Sequence, residues 1–174
     1  VMPETATPAP LIRRLVPADA SSFKELRLRG LTDHPDAFTS SVADWDKPLA
    51  VFVERIEQAH VIGAFMPEGR LVGHCLVANH VATGAKTKHK CELWSVYVAP
   101  EARGRGVARP MVAQAIETAR ALGFAWLKLQ VAAHNEPAKR LYLSLGFEIY
   151  GEEEDYLRLP DGRSITELMM QRRL

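Results

Sequence analysis

The chain has 174 residues, of which 47% are hydrophobic and 25% charged, and its formal net charge is +1. A chain of that size can bury a core without disulfides or structural metal. The near-neutral balance argues against a nucleic-acid partner, which needs a concentrated basic patch. No apolar run approaches the ~20 residues that cross a bilayer, and residues 1–10 have neither the basic start nor the apolar stretch of a signal peptide. The expectation is a soluble, cytoplasmic protein with no membrane partner, a proline-containing flexible tail over 1–10 and a single domain over 11–174.

Residues 11–16 read as a first strand. From Pro17 to Leu31, Phe23, Leu26 and Leu31 recur at near-helical spacing behind Asp19. The turn-forming run Thr32–Asp36 ends that helix. A second short helix starts at Pro48, where a missing first-turn amide costs nothing, and carries Val51, Phe52, Arg55 and Ile56. The period then changes. Residues 61–66 and 71–81 read as strands joined by the turn Pro67-Glu68-Gly69-Arg70. A basic loop, 83–90, leads to a strand over 91–98 that Pro100 ends. Residues 107–123 form a helix with Met111, Val112, Ala115, Ala119 and Leu122 as its apolar stripe and Gly123 just past its end. A strand follows over 124–131. The next helix, 135–146, has Asn135 as N-cap, Pro137 in its first turn and Gly146 at its stop. Phe147–Tyr150 and Ile165–Leu174 close the sheet, whereas 32–48 and 150–164 carry no readable pattern. Antiparallel hairpins come first and a strand–helix–strand unit follows, which is an α+β fold with a mixed sheet.

Several polar residues have plain readings. Cys75 and Cys91 lie in apolar strands and read as buried free thiols. His74 and His80 sit in a strand pattern and read as structural. Lys86, Lys88, His89 and Lys90 read as a solvated loop cluster. No C-x-x-C or H-E-x-x-H spacing occurs, so no metal is expected.

The strongest local signal runs from Val96 to Arg109. A strand enters the turn Arg103-Gly104-Arg105-Gly106-Val107-Ala108, which enters a helix. Glycines let the backbone turn sharply and approach a ligand closely. The free amides and dipole of the helix start then face an anion. Arg103, Arg105 and Arg109 add positive charge, and a pyrophosphate suits the place. A plain strand-to-helix turn would share the same pattern. The dinucleotide fingerprint fits poorly, because Gly104 and Gly106 are followed by Arg109, and there is no Walker lysine.

Here the chain resembles the GNAT superfamily of acyl-CoA N-acyltransferases. Its Arg103–Ala108 turn matches that family's Gln/Arg-x-x-Gly-x-Gly/Ala signature in full. Asn135, Tyr142 and Leu145-Gly146-Phe147, with Ala138 and Leu141, match the second helix that follows it. The resemblance implies a mixed, mostly antiparallel sheet flanked by helices and splayed between the fourth and fifth strands. It implies acetyl-CoA as co-substrate, with the pantetheine arm along Val96, Tyr97 and Val98, the pyrophosphate on Arg103, Gly104, Arg105, Gly106, Val107, Ala108 and Arg109, and Asn135 supporting the arm. Tyr142 matches the family's general acid, against the alternative of a core aromatic beside Leu141 and Leu145. Glu92 is the candidate base, against a solvated strand-end carboxylate; alternation from Cys91 to Val98 puts it on the face of Val96 and Val98, barring a bulge.

The branch that acetylates ribosomal-protein N-termini carries a Glu where this chain has Gln130, which cannot take a proton. His34–Phe38 follows the first helix, where the family builds part of its acceptor pocket. The expected reaction is N-acetyl transfer to a primary amine, on a small molecule or a peptide, by direct transfer in a ternary complex. A non-catalytic acyl-CoA-binding module on the same fold is the rival reading. Monomer and homodimer both stay open.

Overall fold

The structure is a computed structural model and describes residues 9–79 and 84–174. His80 lies outside the described residues. Among the described residues seven strands form one sheet in the order β1-β2-β3-β4-β5-β7-β6. These are β1 (Leu11–Arg14), β2 (His60–Phe65), β3 (Leu71–Ala78), β4 (Lys90–Val98), β5 (Trp126–Ala132), β6 (Glu148–Arg158) and β7 (Ser164–Arg173). Every neighbouring pair is antiparallel except β4 with β5, which is parallel. The mixed α+β sheet expected from the sequence is present.

Successive residues of β3 show which helices cover which face. The His74 ring meets Phe23 of α1 (Ala20–Asp33), with ring centroids 5.2 Å apart. The next residue, Cys75, points its Sγ at the Met111 carbonyl of α4 (Ala108–Ala121), 3.9 Å away. Neighbours on a strand face opposite sides, so α1 and α4 cover opposite faces. Covered on both sides, β2 and β3 are buried almost throughout, as strands of an inner sheet must be. Phe23 also stacks edge-on to Phe52 of α3 (Leu49–Gln58) at 5.6 Å, and both rings are fully buried. Cys75 and Cys91 are buried free thiols, and burial pushes both up to about 12. Among the described residues no helix is long and apolar enough to cross a membrane.

Two segments differ from expectation. Residues 150–158 belong to β6, not to a loop. The acidic run Glu152–Asp155 hid the strand because β6 is a sheet edge, where both faces are largely exposed and charges are tolerated and discourage edge pairing. Its register with β7 shifts twice, and at the second shift Asp155 has φ +54. There Asp155 accepts from Arg158 and, at 2.7 Å, from the Ser164 hydroxyl. The second difference is a short helix, α2 (Val42–Trp45), begun by a capping box between Ser41 and Asp44. The last helix, α5 (Glu136–Ser144), starts as expected, with the Asn135 Oδ1 accepting from the Ala138 amide at 3.3 Å.

Phe23 joins α1, α3 and the sheet, so Phe23→Ala should cost about 3–5 kcal/mol of folding stability, the range for a deleted core aromatic. Urea unfolding of wild type and variant measures it.

Candidate active site

β4 carries a bulge. Ala78 pairs with Glu92 and Leu76 with Trp94, but His74 pairs with Tyr97, so β4 holds one extra residue. Ser95 there has φ +55, a left-handed conformation that costs a non-glycine residue roughly 1–3 kcal/mol. The bulge resets the alternation. Glu92, Trp94 and Tyr97 share the α1 face with His74 and Leu76, while Leu93 and Val98 share the α4 face. The expectation that Glu92 stands on the face of Val98 is therefore corrected, because strict alternation does not survive the extra residue.

The parallel pairing of β4 with β5 covers only Lys90–Glu92 against Trp126–Lys128. Beyond it, β4 follows β3 to Val98 and β5 follows β7 to Ala132. The two central strands part, as the family resemblance implies.

At the end of β4, Glu101 anchors the following turn. It takes two hydrogen bonds from Arg29, both 2.8 Å, and one from Arg70 at 3.0 Å. Those guanidinium groups hold its carboxyl down at about 2. Gly104 and Gly106 then adopt φ +71 and +72, and a Cβ on either would meet nothing within 4 Å. The space above this turn is open. Val107 caps α4 without a side-chain bond, so the first amides of that helix keep their hydrogen-bonding capacity.

The three arginines divide. Arg103 turns back: its Nε donates to the Val98 carbonyl at 3.0 Å and its Nη2 to His34 Nε2 at 2.9 Å. Arg109 donates to the Ser144 hydroxyl at 2.6 Å and ties α4 to α5. Arg105 is exposed and, among the described residues, forms no ion pair.

Tyr142 is buried on α5, its ring centroid 5.8 Å from that of Phe147. Burial, with Cys75 nearby, pushes its phenol well above the usual value of 10. The hydroxyl is protonated and can donate a hydrogen bond, while burial makes it a weaker acid. Since Cys75 points to the α4 face, Tyr142 reaches that face and Glu92 the other. His74 is fully buried, and burial beside Arg27 pulls it down to about 3, so it is neutral. That agrees with a structural His.

On the α1 face lies a small pocket, ≈ 80 Å³, whose walls include Arg27, Phe38, Glu92, Lys128, Gln130 and Glu167. Ala37 and Phe38 thus line the Glu92 pocket, while His34 goes to Arg103 and Asp36 pairs with His134 at 3.0 Å. Glu92 is half-buried and accepts from the Trp94 indole at 2.6 Å. Gln130 accepts from the Tyr156 hydroxyl at 2.9 Å. A larger cavity, ≈ 650 Å³, is lined by Val51, Arg55, Asn79 and Phe124 among others and shares no residue with this pocket.

Sequence reasoning missed three of these walls, Arg27, Lys128 and Glu167. Glu167 on β7 is 3% exposed, and burial near Glu153 raises it to about 7. Arg27 on α1 is also 3% exposed. An inward Glu between Thr166 and Leu168 looks like any polar strand position, and Arg27 looks like one more charge on a helix with Arg29.

Residues 23–147 match the family described as Acetyltransferase (GNAT) family. The chain belongs to the GNAT acetyltransferase family. Among curated GNAT relatives, the uncharacterized N-acetyltransferase YjgM of Escherichia coli (strain K12) is 31% identical over 152 residues, covering 84% of this chain and 87% of that protein. Mycothiol acetyltransferase of Thermobifida fusca (strain YX) is 27% identical over 180 residues, covering 92% of this chain and 50% of that protein. The chain spans about half the length of the mycothiol acetyltransferases it matches first. Among solved folds, yncA of Salmonella typhimurium, a putative acetyltransferase with its cofactor acetyl-CoA, superposes with a TM-score of 0.79 at 23% identity, covering 96% of this chain and 95% of that one. That likeness concerns the GNAT fold.

Glu167 makes stability depend on pH. Its folded-state value, about 7, lies above that of the free carboxyl. Its contribution is therefore fully present below about pH 4.5 and is lost as pH rises through about 7. Glu167→Gln removes the buried charge. Its Tm minus that of wild type should rise from pH 4.5 to 8 and then level; thermal melts across that range read it, and a flat difference would count against a raised carboxyl.

Proposed function

We propose that this GNAT chain is an N-acetyltransferase that moves an acetyl group from acetyl-CoA to a primary amine by direct transfer in a ternary complex, with residues 11–174 acting as one domain. The observation that carries the reading is the parting of β4 from β5 beyond Glu92 and Lys128, followed in the chain by an open glycine turn. The pantetheine arm would lie along Val96–Val98 in that opening, where β4 no longer pairs with β5. The pyrophosphate would sit over Gly104 and Gly106, where the space is open, facing the amides of α4 and the exposed Arg105. Arg103 and Arg109 support the walls of this site, since both are committed to protein partners. Asn135 spends its Oδ1 on capping α5, which leaves its amide NH2 for the arm.

The chemistry then comes from opposite faces. A neutral amine nitrogen attacks the thioester carbonyl carbon from the Glu92 side; the C–N bond forms and the C–S bond breaks. Glu92 takes the proton released by the nitrogen, directly or through one water. A backbone amide of the Val96–Val98 stretch holds the oxygen as charge develops on it. The Tyr142 hydroxyl on the other face donates a hydrogen bond to the departing thiolate and passes it a proton, which the phenol regains from solvent before the next turnover because burial disfavours the tyrosinate. In this reading Glu92 acts as base from the α1 face, not from beside Val98.

Acetyl-CoA should raise the Tm of the wild type, because a ligand bound only by the native state stabilises it. Gly106→Val, with a β-branched side chain in open space at φ +72, should lose most of that shift relative to its own unliganded Tm. No shift in the wild type would overturn the reading.

Tyr142→Phe should lower turnover by ~10²–10⁴-fold, the usual share of a positioned proton donor, with acetyl-CoA affinity nearly unchanged. Free-thiol release under saturating amine measures it. Equal turnover would return Tyr142 to a packing role, and acetyl-CoA binding with no turnover of any amine would favour a non-catalytic acyl-CoA-binding module.

A further inference from the structure

Arg27 is a buried cation with no ion-pair partner among the described residues. It sits on the inner face of α1, 3% exposed. Its guanidinium lies over the rings of Phe38 at 4.7 Å and Trp45 at 4.6 Å. Nε and Nη1 have no hydrogen-bond partner among the described residues. Burial, and after it the like charge of Arg55, pull Arg27 down to about 10. It is therefore still a cation at neutral pH. A charge in this position destabilises the fold, and an apolar side chain of similar volume would fill the place without that cost. The two rings offset part of that cost, but they accept no hydrogen bond from Nε or Nη1.

The rest of the pocket shows what would accept those bonds. Arg27 comes down from α1, and Glu92 and Glu167 come up from β4 and β7. Lys128, the other cation of the pocket, is already engaged: its Nζ lies 4.5 Å from the Tyr150 ring centre and 3.4 Å from the Tyr150 hydroxyl. Arg27 lines the pocket with unsatisfied guanidinium donors, the group type that pairs with a carboxylate. The pocket has Arg27 on its helix side and Glu92, Glu167 and the Tyr150-bound Lys128 on its sheet side.

We propose that the acceptor is a small amino acid, whose carboxylate binds Arg27 while its amine faces Glu92 and Glu167. This rests on the reading of the β4–β5 opening as an amine-acetylating site. An alkylamine lacking a carboxylate would arrive as a second cation and leave Arg27 uncompensated. An amino acid satisfies both walls at once. Its carboxylate takes the orphaned donors, and its nitrogen is held a few bonds away, beside the base. Arg27 touches the substrate away from the reacting atoms and so decides specificity rather than chemistry.

The test offers the common L-amino acids, their carboxamides and their decarboxylated amines to the wild type with acetyl-CoA. At least one amino acid should be used with kcat/KM about 10²-fold above that of its own carboxamide, the scale of losing a buried charge pair. In Arg27→Met that ratio should fall towards one while the thermal shift given by acetyl-CoA stays. Arg27→Met should also melt higher than wild type without ligand, which a purely packing role for Arg27 would not produce. Where Arg27→Met does not fold, Arg27→Lys carries the variant test, since it keeps charge but loses the fork and should lose most of the ratio. Equal use of acids and carboxamides by the wild type, or a preference that survives in the variant, overturns the proposal and leaves the N-acetyltransferase reading standing. If no acceptor turns over, that reading fails instead. Equilibrium titration of the amino acids against their carboxamides, with CoA present, then still decides whether Arg27 binds a carboxylate.

Discussion

The site depends on how far two strands can stay side by side. Parallel strands share hydrogen bonds only while they run at a common spacing. β4 is drawn along β3 and bent by the extra residue at Ser95, and β5 is drawn along β7, so their pairing stops at Glu92 and Lys128. Backbone groups that lose a strand partner inside a fold must find another. A ligand arm able to exchange hydrogen bonds with β4 meets that need, and the sheet is opened at the point where such an arm is useful.

The two faces of the opening differ in charge. On the α4 side stand an uncapped helix start, an open glycine turn and the exposed Arg105, a surface that suits an anion. On the α1 side stand Glu92 and Glu167, with Arg27 above them. Nearby, the Tyr142 phenol is protonated and the His74 ring uncharged, while Lys128 adds a cation beside Glu92. This division fits a donor and an acceptor that meet from opposite sides of one sheet.

The arrangement is expensive in places and firm in others. Arg27 and Glu167 are charges that burial disfavours, and Ser95 holds a left-handed backbone. Around them the fold is tied down. Glu101 is clamped by Arg29 and Arg70, Arg103 fastens the end of β4 to His34, and Phe23, Phe52 and His74 lock α1 and α3 onto the sheet. Strain and unpaired charge persist where the surroundings over-determine them, which is where binding sites are found.

The glycine turn, the Asn135 cap, the α4 stripe except for Leu122, which is exposed beyond the helix while Ile116 is buried, and the strands β2 to β5 were legible in the amino-acid sequence, because each depends on neighbours a few residues apart. The family could be read for the same reason: its signature lies in one continuous turn and one short helix. Other features depend on residues far apart in sequence. β6 was hidden because an edge strand need not alternate, and its acidic run reads as a loop until β7 pairs with it. The face of Glu92 turned on one bulge, which only the pairing with β3 reveals. Arg27 and Glu167, 140 positions apart by their numbers, enter one pocket because α1 packs over the sheet that contains β7. Burial, which makes one an orphaned cation and the other a carboxyl raised to about 7, is a property of the packed interior. Local chemistry therefore determined what the turn and helices could be, and tertiary packing decided which charges lost their water and face one another.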